Sequence, residues 1–223
     1  MIIAERKPLD EIVDNVKDLR KLLLVGCDTC VAVCMAGGEK EVAVLASAMR
    51  LALRDKNPDI EIVQRCVERQ CEEEFNEEIA RDVAEADATL SMACGVGVQT
   101  LAEQFPEAII YPALNTTFMG RPEEQGVWSE RCMGCGDCVL DKFGGVCPIT
   151  RCSKSLLNGP CGGSQDGTCE VDPDNLDCAW QLIYDRLERL GQLERLLEVE
   201  PLKDWSTSHH GGPRTISRED VRL

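Results

Sequence analysis

In PLDEIVDNVKDLR, residues 8–20, Leu9, Ile12, Val13, Val16 and Leu19 recur at helical spacing and Pro8 suits a first turn, so a short helix is expected. KLLLVG, residues 21–26, is a continuous apolar run ending at glycine, the pattern of a buried parallel strand. The alanine- and leucine-rich stretch 39–55 reads as helix, and after Asn57-Pro58 the alternation in DIEIVQ, residues 59–64, reads as strand. Further helices are expected at 72–86 and 98–105, with strands at 88–93 and 108–113. Alternation of this kind predicts an α/β fold, a small Rossmann-like parallel sheet with flanking helices.

From about Leu114 the pattern stops, and some sixty residues rich in Gly, Pro, Asp and Cys follow, too long for a plain loop in a compact domain. Helical periodicity returns at 177–199, where Trp180, Ile183, Leu187, Leu190 and Leu197 form a stripe interrupted near Gly191. The expected layout is an α/β domain over 1–113, a cysteine-rich metal-cluster module with a C-terminal helix over 114–205, and a tail over 206–223 that is disordered or lies on a partner. No repeat of fixed period is present.

Composition changes this picture in two ways. Fourteen cysteines in 223 residues need either disulfides or metal. The start, MIIAERKPLDEI, lacks the apolar core of a signal peptide, and no stretch reaches the roughly 20 apolar residues of a membrane span. A cytoplasmic location is therefore expected, where cysteines serve metals or redox chemistry in preference to disulfides. The formal charge of -16 disfavours nucleic acid and anionic membranes and points to protein partners.

The cysteines fall into sets. Cys132, Cys135 and Cys138 follow the C-x2-C-x2-C spacing that wraps three corners of an iron-sulfur cube, and Cys147-Pro148 supplies the cysteine-proline dipeptide common at a further ligand, at an unusual distance. Cys152, Cys161, Cys169 and Cys178 bring this half to eight thiols, enough for two four-cysteine sites: the triplet, with Cys178 returning to it, and a second set of Cys147, Cys152, Cys161 and Cys169. Zinc is the alternative occupant, since four thiolates bind it tetrahedrally. In the other half, Cys27, Cys30 and Cys34 follow the first strand, Cys66 and Cys71 the second, and Cys94 the third, at the strand ends where open parallel sheets bind ligands. Three come from the first loop, with Cys94 or Cys71 to close the set, while Cys66 suits an inert buried thiol equally well.

Other features weigh less. Gly95-Val96-Gly97 lacks the third glycine of a dinucleotide fingerprint, and a helix start explains it as readily as a phosphate cradle. His209 and His210 lie in the expected tail, Asn115-Thr116-Thr117 is a sequon without meaning in the cytoplasm, and no acid-base catalytic set is evident, so no catalytic residue is expected.

The segment CPITRCSKSLLNGPCGGSQDGTCEV, 147–171, followed by DCAWQLIYDRL, resembles the small iron-sulfur subunit (MetV type) of two-subunit methylenetetrahydrofolate reductase, a family whose second half is also called the methylenetetrahydrofolate reductase C-terminal domain. VGCDTCVAVCMAGGEKEV, ERQCE at 68–72 and MACGVGVQ at 92–99 are similar to it as well. The resemblance implies ligation by Cys27, Cys30, Cys34 and Cys94 and by the cysteines from 132 to 178, two to three 4Fe–4S clusters with zinc as the alternative at one site, and electron delivery. It also implies a flavin-containing (β/α)8-barrel partner carrying FMN, which reduces 5,10-methylenetetrahydrofolate to 5-methyltetrahydrofolate in one-carbon metabolism such as the reductive acetyl-CoA pathway, with further electron-donor subunits as additional partners.

Overall fold

The computed structural model describes residues 1–221, so Arg222 and Leu223 of the expected tail lie outside the described residues. The chain divides into two compact units, Met1–Ser129 and Glu130–Leu223.

The first unit holds β1 (Ile2–Arg6), α1 (Leu9–Val16), β2 (Lys21–Cys27), α2 (Cys30–Val33), α3 (Glu39–Leu53), β3 (Glu61–Val67), α4 (Glu73–Asn76), α5 (Ala80–Glu85), β4 (Ala88–Ser91), α6 (Gly95–Gln104), β5 (Ile110–Pro112) and β6 (Leu114–Glu124), and then enters β7 (Val127–Cys132). Four strands form a parallel sheet in the order β3-β2-β4-β5. The α/β reading of the sequence describes it correctly.

Strand β2 is central, and its pleat explains why helices cover both faces. Leu22 and Leu24 point to a core with Val13, Val16, Leu45, Met49 and Leu53 of α1 and α3, whereas Leu23 and Val25 point to a second core with Ile79, Val83 and Leu101. All four β2 side chains are wholly buried, as a strand with two apolar faces requires. Helix α3 begins at Gly38, whose N–H donates to the Glu41 carboxylate at 3.1 Å. The helix expected over 72–86 is broken instead into α4, a 3-10 turn at Glu77–Ile79, and α5. Asn76 accounts for part of this, since its side chain is fully buried and its Nδ2 donates to the Gln70 carbonyl at 3.1 Å, anchoring the turn inward.

The stretch after Leu114 departs from expectation. It opens with β6 and β7, which join β1 in a three-stranded sheet of order β1-β6-β7. Strand β1 pairs antiparallel with β6, Arg6 opposite Leu114 and Ile2 opposite Met119. This pairing is non-local and β6 is mostly solvent-facing, so its residues show no apolar alternation, and Gly120 and Pro122 dilute any strand propensity. A side chain at Gly120 would fall 2.2 Å from the Ser129 carbonyl, so the β6-β7 approach needs the glycine.

The second unit holds α7 (Pro148–Arg151) and α8 (Ala179–Leu190) around a small core of Phe143, Cys178, Trp180, Ile183 and Leu187. Helix α8 ends at Gly191 in the left-handed conformation, with φ 66°. The continuation expected to 199 is a 3-10 turn, Leu193–Leu197. Among the described residues no helix is long and apolar enough to cross a membrane.

Leu24→Ala should lower the unfolding free energy by about 3 kcal/mol through cavity formation in the first core. Denaturant titration followed by circular dichroism measures it; a loss below about 1 kcal/mol would contradict the central placement of β2.

Candidate metal centres

All fourteen cysteines are free thiols, in three neighbourhoods. The first lies at the carboxyl ends of β2, β3 and β4. Two glycines and one amide draw its loops together. A Cβ at Gly37 would sit 2.0 Å from the Met92 carbonyl, so the loop bearing Cys27, Cys30 and Cys34 lies directly on the segment leading to Cys94. A Cβ at Gly97 would sit 2.9 Å from the Gln70 Cβ, which brings the Cys71 loop against the start of α6. Gly97 is therefore a packing glycine, and the Gly95 N–H, 2.8 Å from Thr116 Oγ1, already has its acceptor.

Gln70 is wholly buried and joins these loops. Its Nε2 donates to the carbonyls of Val25 at 3.0 Å and Gly26 at 2.9 Å, and its Oε1 accepts from Ser91 Oγ at 2.6 Å. The sequence reading passed over this residue; a polar side chain beside ERQC's cysteine, at the end of a strand, was the available signal.

Within this frame Cys27 and Cys94 approach Cys71. Burial first, and then the neighbouring sulfur of Cys27 and that of Cys94, raise the Cys71 thiol above its ordinary value. Cys34 faces elsewhere: its Sγ, 4% exposed as a residue, lies 3.7 Å from the Ala4 carbonyl and 3.6 Å from that of Val31, and burial raises its pKa. Cys30 adds a smaller upward push on Cys34. Burial and a hydrogen bond to the Asp28 carboxylate push the Cys66 thiol up strongly, in keeping with an inert protonated thiol.

The second neighbourhood is the triplet loop. Gly134 and Gly136 adopt positive φ, 65° and 84°, which lets the loop fold back so that the Gly134 N–H meets Cys132 Sγ at 3.4 Å. Cys132 and Cys138 are exposed and Cys135 is half-buried. The segment expected as a disordered or partner-bound tail, together with Lys203 just before it, instead clasps this loop. Thr207 Oγ1 donates to the Cys135 carbonyl at 2.9 Å, Lys203 Nζ to that of Asp137 at 2.9 Å, and Arg214 Nη2 to that of Gly134 at 3.0 Å. The Lys203 side chain is only 2% exposed and lies 3.5 Å from the Asp137 carboxylate. Gly136 is required, because a Cβ there would fall 2.1 Å from the Thr207 carbonyl. The clasp is polar and long-range, which leaves no apolar pattern to read. His210 stacks edge-on against Trp205 at 5.6 Å.

The third neighbourhood is a cavity of about 20 Å3 lined by Cys152, Cys161, Cys169 and Cys178. Short pairings bring the last two together: the Cys169 N–H donates to the Leu176 carbonyl at 2.8 Å and the Cys178 N–H to that of Gly167 at 2.7 Å. Cys178, expected to return to the triplet, stands here, while the Cys147 thiol lies 3.7 Å from Thr150 Oγ1. The thiols are engaged with protein partners. Cys161 Sγ lies 3.4 Å from Glu170 Oε2, whose other oxygen pairs with Lys154, and Cys169 Sγ lies 3.4 Å from Ser153 Oγ, a contact that lowers the Cys169 pKa.

Four thiols from separate parts of the chain around one cavity match the donor chemistry of a tetrathiolate metal site. As the side chains stand, no three His, Cys, Asp or Glu among the described residues converge closely enough to hold an ion. Loading therefore requires the thiols to give up their protons and their present partners.

Comparison with known proteins places the second half of this arrangement in a class. The family described as "Methylene-tetrahydrofolate reductase C terminal" matches residues 111–206, which bears out the resemblance over a stretch containing both the triplet and the four-cysteine cavity. These residues are similar to that family, which links this part of the chain to the reductase theme. No curated protein and no solved structure gives a match.

Two outcomes are expected here. Gln70→Ala removes the acceptor of the Ser91 hydroxyl and the side-chain donor shared by the Val25 and Gly26 carbonyls, of which Val25 keeps the Met92 N–H, and should cost about 1–3 kcal/mol in chemical denaturation of the full chain; a loss within experimental error would remove Gln70 from its joining role. Gly136→Ala should displace the clasp and open new protease cleavage sites between Lys203 and Arg214, seen by mass spectrometry, whereas an unchanged digestion pattern would mean that the clasp does not depend on this approach.

Proposed function

We propose that the chain is an electron-transfer subunit of a methylenetetrahydrofolate reductase complex. In this reading, thiolates of the triplet Cys132, Cys135 and Cys138, with Cys147 as the remaining candidate, and those of Cys27, Cys30, Cys71 and Cys94 at the sheet edge hold iron-sulfur clusters. Cys34 belongs to the sheet-edge set only if its thiol leaves the Ala4 carbonyl. Such clusters supply one-electron transfer. The chain's own residues orient the thiolates, hold the triplet loop by its carbonyls through the clasp, and place cationic Lys203 and Arg214 on that loop.

The observation that carries this reading is that a segment with little apolar core holds a cysteine triplet in one loop and four cysteines around one cavity, joined to a family match over the same residues. A flavin on a partner subunit is part of the reading, because folate reduction needs a hydride equivalent that clusters alone do not deliver. The four-cysteine cavity favours a second metal type. Four thiols from separate parts of the chain suit tetrahedral ligation, so zinc with an ordering role is the occupant proposed for Cys152, Cys161, Cys169 and Cys178.

Anaerobic purification with iron, sulfide, zinc and flavin measured per chain tests the assignment. Iron with matching sulfide, a brown absorbance that bleaches on reduction, and about one zinc are expected, with flavin appearing only when a partner flavoprotein co-purifies. A colourless protein holding zinc alone would reduce it to a metal-ordered interaction module. Failure of the reconstituted pair to turn over methylenetetrahydrofolate would remove the substrate claim. Cys169→Ser should lose the zinc while keeping iron at the triplet; loss of iron instead would reverse the two assignments.

A further inference from the structure

The second unit contains an open cleft of about 980 Å3 that the metal chemistry leaves unused. Its floor is fixed. Phe143 and Trp180 meet edge to face at 5.4 Å, and Trp180 Nε1 donates to the Leu156 carbonyl at 3.1 Å. Its walls are tied as well: Asn158 Nδ2 donates to the Glu200 carbonyl at 3.0 Å, the Glu200 N–H returns to Asn158 Oδ1 at 2.7 Å, and Lys142 pairs with the Glu200 carboxylate at 2.6 Å. The opening is thus preformed, and Cys178, Trp180 and Ser164 are common to it and to the four-cysteine cavity.

The lining has one sign of charge. Asp166, Asp177, Asp185 and Glu198 contribute carboxylates, and no Lys, Arg or His lines the cleft. Among the described residues none of these four takes part in an ion pair; Asp185 accepts one neutral hydrogen bond, from Gln181 Nε2 at 2.7 Å. Unpaired carboxylates around a low-dielectric floor concentrate negative potential in the opening. The rim is apolar: Val199 is 82% exposed, and Leu197 and Leu202 beside it are 84% and 100% exposed. Exposed aliphatic side chains next to uncompensated carboxylates define the occupant's chemistry.

We infer that this cleft docks a segment of a partner protein that presents Lys or Arg between apolar side chains. A second copy of this chain would bring the same acids and a net charge of -16 of its own, so the occupant is a different, basic-faced protein. The inference rests on the proposed function in one respect, that the chain works against another protein; because the cleft shares a wall with the four-cysteine cavity, docking brings that partner beside one metal site.

The test uses the full-length, metal-loaded chain and a fluorescein-labelled peptide of alternating Lys and Leu, with a Glu-Leu peptide as counterpart, read by fluorescence anisotropy. The Lys-Leu peptide should bind saturably, more weakly as salt rises, and the Glu-Leu peptide should not bind. Asp185→Lys with Glu198→Lys, both on the surface, should weaken binding roughly tenfold or more. Glu73→Lys with Glu74→Lys changes the net charge equally from the first unit and should leave binding near that of the unaltered chain. Equal weakening by both pairs, equal binding of both peptides, or no saturable binding to the unaltered chain would overturn the inference. Metal content, measured on the same samples, separates the two ideas: peptide binding at the cleft by a chain without iron upholds the docking site and rejects the electron-transfer reading, and iron without peptide binding does the reverse.

Discussion

One buried carboxamide holds the cysteine-bearing end of the first unit together. Gln70 satisfies two carbonyls at the end of β2 and the Ser91 hydroxyl at the end of β4, and its own carbonyl receives Asn76. Strands in a parallel sheet end with backbone groups that no neighbour satisfies, and apolar side chains cannot do so. An amide has donors and an acceptor on one rigid plane and can serve several loops at once. The placement of Cys27, Cys71 and Cys94 near one another follows from that constraint, with Gly37 and Gly97 permitting the close approach.

The second unit solves a different problem. It has a core of only a few residues, Phe143, Cys178, Trp180, Ile183 and Leu187, and relies on turns with positive φ and on long-range polar contacts. Such a fold gains little from burial, and thiols stand where a larger domain would place leucines. Cys161 and Cys169 take part in the same polar network, the first against the Glu170 carboxylate and the second against the Ser153 hydroxyl.

Much of this was legible in the sequence. Apolar runs marked β2 and the two-sided sheet because burial on both faces leaves a direct trace in residue type. The tight loop of the C-x2-C-x2-C triplet was legible because its two glycines, Gly134 and Gly136, are the residues that a fold-back at positive φ requires. Less was legible where contacts are distant: β1 and β6 pair across more than a hundred positions, and nothing local in Leu114–Glu124 announces a strand. The clasp formed by Lys203, Thr207 and Arg214 was hidden for the same reason, since hydrogen bonds to main-chain carbonyls impose no pattern on the sequence they reach. Cys178 could not be allotted by spacing alone, because a short backbone pairing, not its distance from Cys138, carries it to Cys169.

The clasp also has an order in time. Lys203 reaches the Asp137 carbonyl across 66 residues, and Thr207 reaches that of Cys135 across 72. A growing chain therefore exposes the triplet loop well before the residues that close over it have been made. Throughout that interval the loop lacks its closing partners, and the arrival of Lys203 and Thr207 then ties it from its carbonyl side while the thiols of Cys132 and Cys138 stay exposed. The distance along the chain between loop and clasp thus acts as a delay, and the loop's carbonyls stay unclasped until Lys203, Thr207 and Arg214 have all been made.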